Sequence, residues 1–217
     1  MAPTMSRMTR LSLILGLAAL LTSTHLTAEK HWIPADPKVE CASAAKKDVC
    51  AELLAIRDRD QIARYDALNH PGDKTFEDTI KKVDRENLVR VEAIIAANGW
   101  PGASLAGRKA GGGAWTVIQH ADLPTQKKYL PLMTKAADAG ELSWALVATT
   151  IDRIEVREGK PQTYGTQFRE VNGEWVSEPI EDEAHVDDRR KKVGLGPLAE
   201  YAAQLKQLHP PPPKPKE

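Results

Sequence analysis

The residues best suited to chemistry are a carboxylate and a histidine placed where apolar side chains are expected. Stepping about 100° per residue from Asp48, the side chains of Val49, Leu53, Ile56, Ala63 and Ala67 line one stripe of a helix. Asp60 falls inside that stripe, with Arg64 one turn further on. A lone charge on a core face is prohibitively costly, so Asp60 must be paired or open onto a polar pocket. Two readings stand: a structural i,i+4 ion pair with Arg64, or one wall of a site.

His120 is the candidate acid/base, because an imidazole titrates near neutrality. It belongs to Gln119-His120-Ala121-Asp122, at the end of a helix whose apolar stripe is Ala114, Val117, Ile118 and Ala121. In a regular helix His120 and Asp122 lie about 160° apart, so they form no dyad there. Asp122 precedes Leu-Pro-Thr-Gln and suits the N-cap of the next helix. A third polar group follows. Asp152-Arg153 stands at a helix-to-strand junction, and strand alternation puts Gln162, Tyr164, Thr166 and Phe168 on one face, with Thr163, Gly165 and Gln167 on the other. Gly165 among bulky residues implies a bulge or a close backbone approach.

The chemistry is narrowed by the motifs the chain lacks. It has no glycine-rich phosphate loop, no HExxH, no GxSxG and no clustered Cys/His set, so neither a cofactor nor a metal has sequence support. The basic and acidic residues balance at 30 each, which leaves no electrostatic footprint for nucleic acid.

These side chains must be positioned by a chain that reads as α+β, mainly α, over residues 48–208. Helices are expected at Asp48–Asn69, Thr75–Asn98, Leu105–Ala121, Pro124–Ala139 and Leu142–Ile151. A three-stranded antiparallel meander follows, from Ile154–Val156, Gln162–Val171 and Glu174–Ser177, with Asn172-Gly173 as a hairpin signal. Two C-terminal helices, Asp182–Lys192 and Pro197–Leu208, complete the domain, and residues 209–217 form a Pro/Lys-rich tail too proline-dense to pack. Residues 29–47, with Pro34 and Pro37, read as an irregular lead-in.

Residues 1–28 read as a secretory signal. Arg7 and Arg10 precede the apolar run Leu11–Leu21, and small residues Thr27 and Ala28 offer a cleavage point. That run is about half the roughly 20 residues a spanning helix needs, and no later stretch spans a bilayer. The expected location is therefore periplasmic or secreted. There Cys41 and Cys50 either bond or remain two thiols; a single helix through both would hold their Cα atoms about 13 Å apart, so a bond requires a bend near Lys46–Asp48.

Taken in order, Asp60-Gln61-x-x-Arg64, Gly99-Trp100-Pro101, Gln119-His120-Ala121-Asp122, Asp152-Arg153 and Gln162-x-Tyr164-Gly165-Thr166-Gln167 resemble a bacterial family of unknown function, over roughly Glu52 to Tyr201. The resemblance implies that these polar positions belong together around one cleft; it brings no reaction. Two functions are compatible with them. One is a binding or interaction domain for a small molecule or envelope component. The other is an exported enzyme on such a substrate, with His120 as general acid/base, Asp60 or Asp152 orienting it, Arg64 or Arg153 holding an anion, and Gln119, Gln162, Tyr164 and Gln167 contacting the ligand. Nothing in the sequence specifies an oligomeric state.

Overall fold

A computed structural model describes residues 32–172 and 174–208. The export signal read in residues 1–28 and the tail at 209–217 lie outside the described residues. Among those described, the fold is a mainly helical α+β arrangement with nine helices and one two-stranded antiparallel sheet.

The first described residues lie along the flank of the helix that carries Arg57 and Asp58. Trp32 donates its indole N–H to Asp58 at 2.8 Å, and Arg57 lies over the Trp32 ring. Within the lead-in, Asp36 caps one helical turn, α1 (Pro37–Glu40), and the chain then reverses before α2 (Lys47–Asn69). That reversal brings the Cα atoms of Cys41 and Cys50 to 5.7 Å, and the two are disulfide-bonded. The helix α3 (Lys74–Asn98), capped by Asp73, packs back along α2. Leu53, Leu54 and Ile56 of α2 meet Val91, Ile94 and Ile95 of α3 in the main core. Each such fully buried side chain contributes about 1.5–3 kcal/mol.

One helix was expected from Leu105 to Ala121, and the structure has two. α4 (Ala103–Ala106) ends at Gly107, whose φ of +84° no side chain adopts comfortably, and α5 (Arg108–His120) begins there. The triple glycine inside α5 has a packing reason. A Cβ on Gly111 would stand 2.7 Å from the Pro101 carbonyl, and one on Gly113 would stand 2.9 Å from the Leu53 carbonyl. A side chain at Gly113 would push α5 off α2, and one at Gly111 would push it off the Pro101–Gly102 segment. Asp122 accepts from the Thr125 amide and caps α6 (Leu123–Asp138).

The predicted meander is also corrected. The first of its three strands, Ile154–Val156, is helical: α7 runs from Trp144 to Arg157, well past Ile151. Val147, Thr150 and Ile154 continue one buried stripe at helical spacing, and the two β-branched residues Ile154 and Val156 do not override it. Residues 162–167 form a loop rather than a strand, with Gln162 bridging only to Ile180. The hairpin that remains pairs β1 (Phe168–Val171) with β2 (Glu174–Ser177), Val171 opposite Glu174 and Asn172 at φ 52° in the turn. A 3-10 turn (Glu183–His185) leads into α8 (Val186–Lys192), and α9 (Leu198–Leu208) lays Leu198, Tyr201 and Leu205 on Phe168 as a small second core. No helix of the described residues is long and apolar enough to cross a membrane.

Candidate functional site

α2 and α5 cross closely because of Gly113, and that crossing brings together Asp60, Arg64 and His120. His120 Nδ1 lies 3.0 Å from Asp60 Oδ1, and the Gln61 side-chain amide donates to Asp60 Oδ2 at 2.7 Å. Arg64 Nη2 lies 3.4 Å from Asp60 and donates to Asp84, from α3, at 2.8 Å. Arg64 Nε stands 3.2 Å from His120 Nδ1 and 3.5 Å from Nε2. A single ring nitrogen cannot both donate to Asp60 and accept from Arg64. With Asp60 ionised, we assign the proton to Nδ1 and the basic lone pair to Nε2. Asp60 and Arg64 are sealed; His120, 10% exposed, and Asp84, 30% exposed, reach the surface.

Burial alone would raise the Asp60 pKa, but the His120 hydrogen bond, the charges of His120 and Arg64, and the Gln61 amide outweigh it and hold the group below its ordinary value. Burial acts the other way on His120, lowering its pKa despite Asp60, so the ring is neutral at pH 7. Asp84 is raised by burial, partly offset by Arg64. The result is an oriented neutral imidazole beside a paired carboxylate, with the basic lone pair on Nε2 and Arg64 Nε 3.5 Å from it. Asp60, Asp84 and His120 offer three ligand atoms within 4.8 Å of one another, a possible metal set. Arg64 already touches all three, and its guanidinium supplies the positive charge a cation would bring.

A second set of polar groups borders this one. Trp115 donates to Thr150 Oγ1 at 3.0 Å, and Arg157 donates to the Ala121 carbonyl at 2.9 Å. These ties set α5 beside α7, and their offsets of 35 and 36 residues bring Arg153 level with Ile118 and Val117. Gln126 of α6 donates to the Gln119 carbonyl at 2.6 Å. Arg64 Nη1, Gln119 Oε1, Gln126 Oε1, Arg153 Nε and Arg153 Nη2 are buried without a hydrogen-bond partner among the described residues. Burial is the main reason the Arg153 pKa falls to about 10, with Arg157 adding to the fall.

Asp152, Gln162, Tyr164 and Gln167 form a separate group. Asp152 Oδ1 accepts from the Tyr164 amide, and Oδ2 from the Thr166 amide and hydroxyl, all at 2.8 Å. Glu155 takes the Thr163 amide and hydroxyl in the same way. Gln162 accepts from the Gln167 amide and donates to the carbonyls of Gln167 and Glu178, while Gln167 donates to Thr166 Oγ1. On the far side Arg190 donates to the Tyr164 and Gly165 carbonyls. Gly165, at φ +68°, leaves no room for a Cβ beside Leu198 and Ile180. The Tyr-Gly-Thr-Gln segment is thus a loop clamped between α7 and α8, and none of its partners is His120, Asp60 or Arg64.

Asp84 and Arg157 were not singled out in the sequence. Both lie on charge-rich helical faces, where nothing separates a site residue from a solvated one. A groove of about 400 Å³ between the hairpin and α8–α9, lined by Phe168, Ser177, Val186 and Leu198 among others, contains none of the candidate residues.

The fold and the first of these polar groups define a class: a mainly helical α+β domain with a buried Asp–His–Arg network at the crossing of its central helices. The chain belongs to the DUF6624 family, a family of unknown function whose pattern matches residues 47–209. No curated protein and no solved structure matches it.

Proposed function

We propose that this protein is a ligand-binding domain that works outside the cytoplasm, periplasmic or secreted, with its site where His120 reaches the surface above Asp60 and Arg64. The observation that carries this reading is the combination of an oriented, neutral His120 with sealed polar atoms of Arg64 and Gln119 that have no partner among the described residues, a costly arrangement for a purely structural core. The Cys41–Cys50 bond suits an oxidising compartment and supports the location, as does the basic–apolar–small order of residues 1–28. The ligand is a small molecule or an envelope fragment.

A thermal-shift screen of such compounds, run in parallel on the unmodified protein and on His120→Ala, tests the site. Hits that vanish in the variant support it; an identical set of hits removes His120 from the site.

The Asp60–His120 hydrogen bond favours a second reading, an exported enzyme in which Nε2 acts as general base. It requires turnover of a screened ligand that His120→Gln abolishes while binding persists. Asp152 has no part in either reading, because its oxygens hold the 164–166 loop.

A further inference from the structure

Arg153 is nine-tenths buried, and its Nε and Nη2 have no acceptor among the described residues. Those two nitrogens form the edge of the guanidinium whose parallel N–H groups match a carboxylate in a fork. The charged neighbours of Arg153 make this harder to accept as a core feature. The groups that act on it electrostatically are Arg157, Tyr201 and Arg64, two cations and a phenol that burial keeps protonated, with a pKa pushed up to about 12. Arg64 spends its own charge on Asp60 and Asp84. An arginine cannot shed its proton at neutral pH, and a buried cation is ordinarily paired. Among the described residues no carboxylate stands against Arg153 as a counter-ion.

We propose that the ligand of this protein carries a carboxylate, and that Arg153 recognises it through its Nε/Nη2 edge. This rests on the binding reading above and names the ligand's chemistry. Three features favour a carboxylate over a larger anion. The fork is planar, the residue keeps only 9% exposure, and the edge itself is shielded, so entry requires a side chain to move and admits a small flat group first. Gln119 lies one residue beyond Ile118, which is level with Arg153, and the Gln119 and Gln126 Oε1 atoms, also unpartnered among the described residues, accept hydrogen bonds and so suit an N–H or O–H elsewhere on the same ligand. A carboxylate next to an amide or hydroxyl donor, as in an N-acylated amino acid or a hydroxy acid, matches the set.

The test is a thermal-shift and calorimetric titration of the purified protein at pH 7 and constant ionic strength. The probes are acetate, lactate, N-acetylalanine, inorganic phosphate and sulfate. A carboxylate at about a hundred times its Kd raises Tm by about 5–10 °C. Arg153→Lys keeps the charge but not the fork, and weakens that carboxylate about 10- to 100-fold. Arg153→Met abolishes the response; should it fail to fold, the Lys variant carries the comparison. Absence of a carboxylate-dependent shift overturns the proposal, as does a shift with phosphate and sulfate alone, or a full response in Arg153→Lys. His120→Ala in the same titrations separates the two readings. A carboxylate response that depends on Arg153 but not on His120 keeps this inference and removes the His120-centred site. Hits without a carboxylate that depend on His120 do the reverse.

Discussion

Replacing Asp152 by Asn changes one atom and asks whether this buried carboxylate holds a loop or serves a ligand. Its two oxygens accept three hydrogen bonds of 2.8 Å, from the Tyr164 amide, the Thr166 amide and the Thr166 hydroxyl. An asparagine in the same place does best by turning its oxygen to Thr166, which sets its amide against the Tyr164 N–H. That strands one backbone donor, at about 1–3 kcal/mol. The two surviving bonds lose their charge assistance, roughly another 1 kcal/mol together. Against this, burial raises the Asp152 pKa, so removing the charge recovers part of the loss. The expected net cost is about 2–3 kcal/mol, or a Tm lower by about 4–12 °C. Circular dichroism melts at pH 7 measure it, and the ligand response at temperatures below the melt should persist. An unchanged Tm together with a lost ligand response would refute the loop-anchor assignment and return Asp152 to the site.

Three further outcomes follow from other parts of the molecule. Gly112→Ala meets no atom within 4 Å and should stabilise α5 by about 1 kcal/mol, whereas Gly113→Ala, 2.9 Å from the Leu53 carbonyl, should cost about 1–2 kcal/mol; urea melts of the pair must move in opposite directions. The Cys41–Cys50 bond closes a separation of 9 residues, for which loop entropy gives about 2.6 kcal/mol, so dithiothreitol should lower Tm by about 5–10 °C and leave the Cys41→Ser/Cys50→Ser double variant unmoved. Burial lowers the His120 pKa below the roughly 6.5 of an unfolded chain, so the unfolded state takes up that proton first. The His120 contribution is therefore complete above about pH 6.5 and declines as pH falls towards its folded value, by at most about 1.4 kcal/mol per pH unit. Melts of His120→Asn should lose that dependence between pH 7 and 5.5; the same slope in both proteins would assign it elsewhere.

Local signals in the sequence located most of the helices, because their information is short-range. Caps such as Asp73 and Asp122, breakers such as His70-Pro71-Gly72 and Gly99, and the apolar stripe of α2 all act within one or two turns. The Asn172-Gly173 turn likewise marks its hairpin locally. Residues 154–156 and 162–167 carry strand-like signals yet form helix and loop, for a related reason. Short β-branched and aromatic runs carry weak local preference, and what decided them was remote: the buried stripe of α7 in one case, the clamp of Asp152, Gln162 and Arg190 in the other.

The sequence determined by itself that Asp60 needs a partner, since no helix can bury a carboxylate alone on its core face. It offered Arg64, four residues on, and that pairing is present. Only the tertiary structure supplied His120 from 60 residues away and Asp84 from the neighbouring helix, and only it separated Asp152 and Tyr164 from them. Helical periodicity gives the direction a side chain leaves its own axis. Which side chains then meet depends on how the helices cross, and here that depends on glycines at which a single Cβ would force two backbones apart.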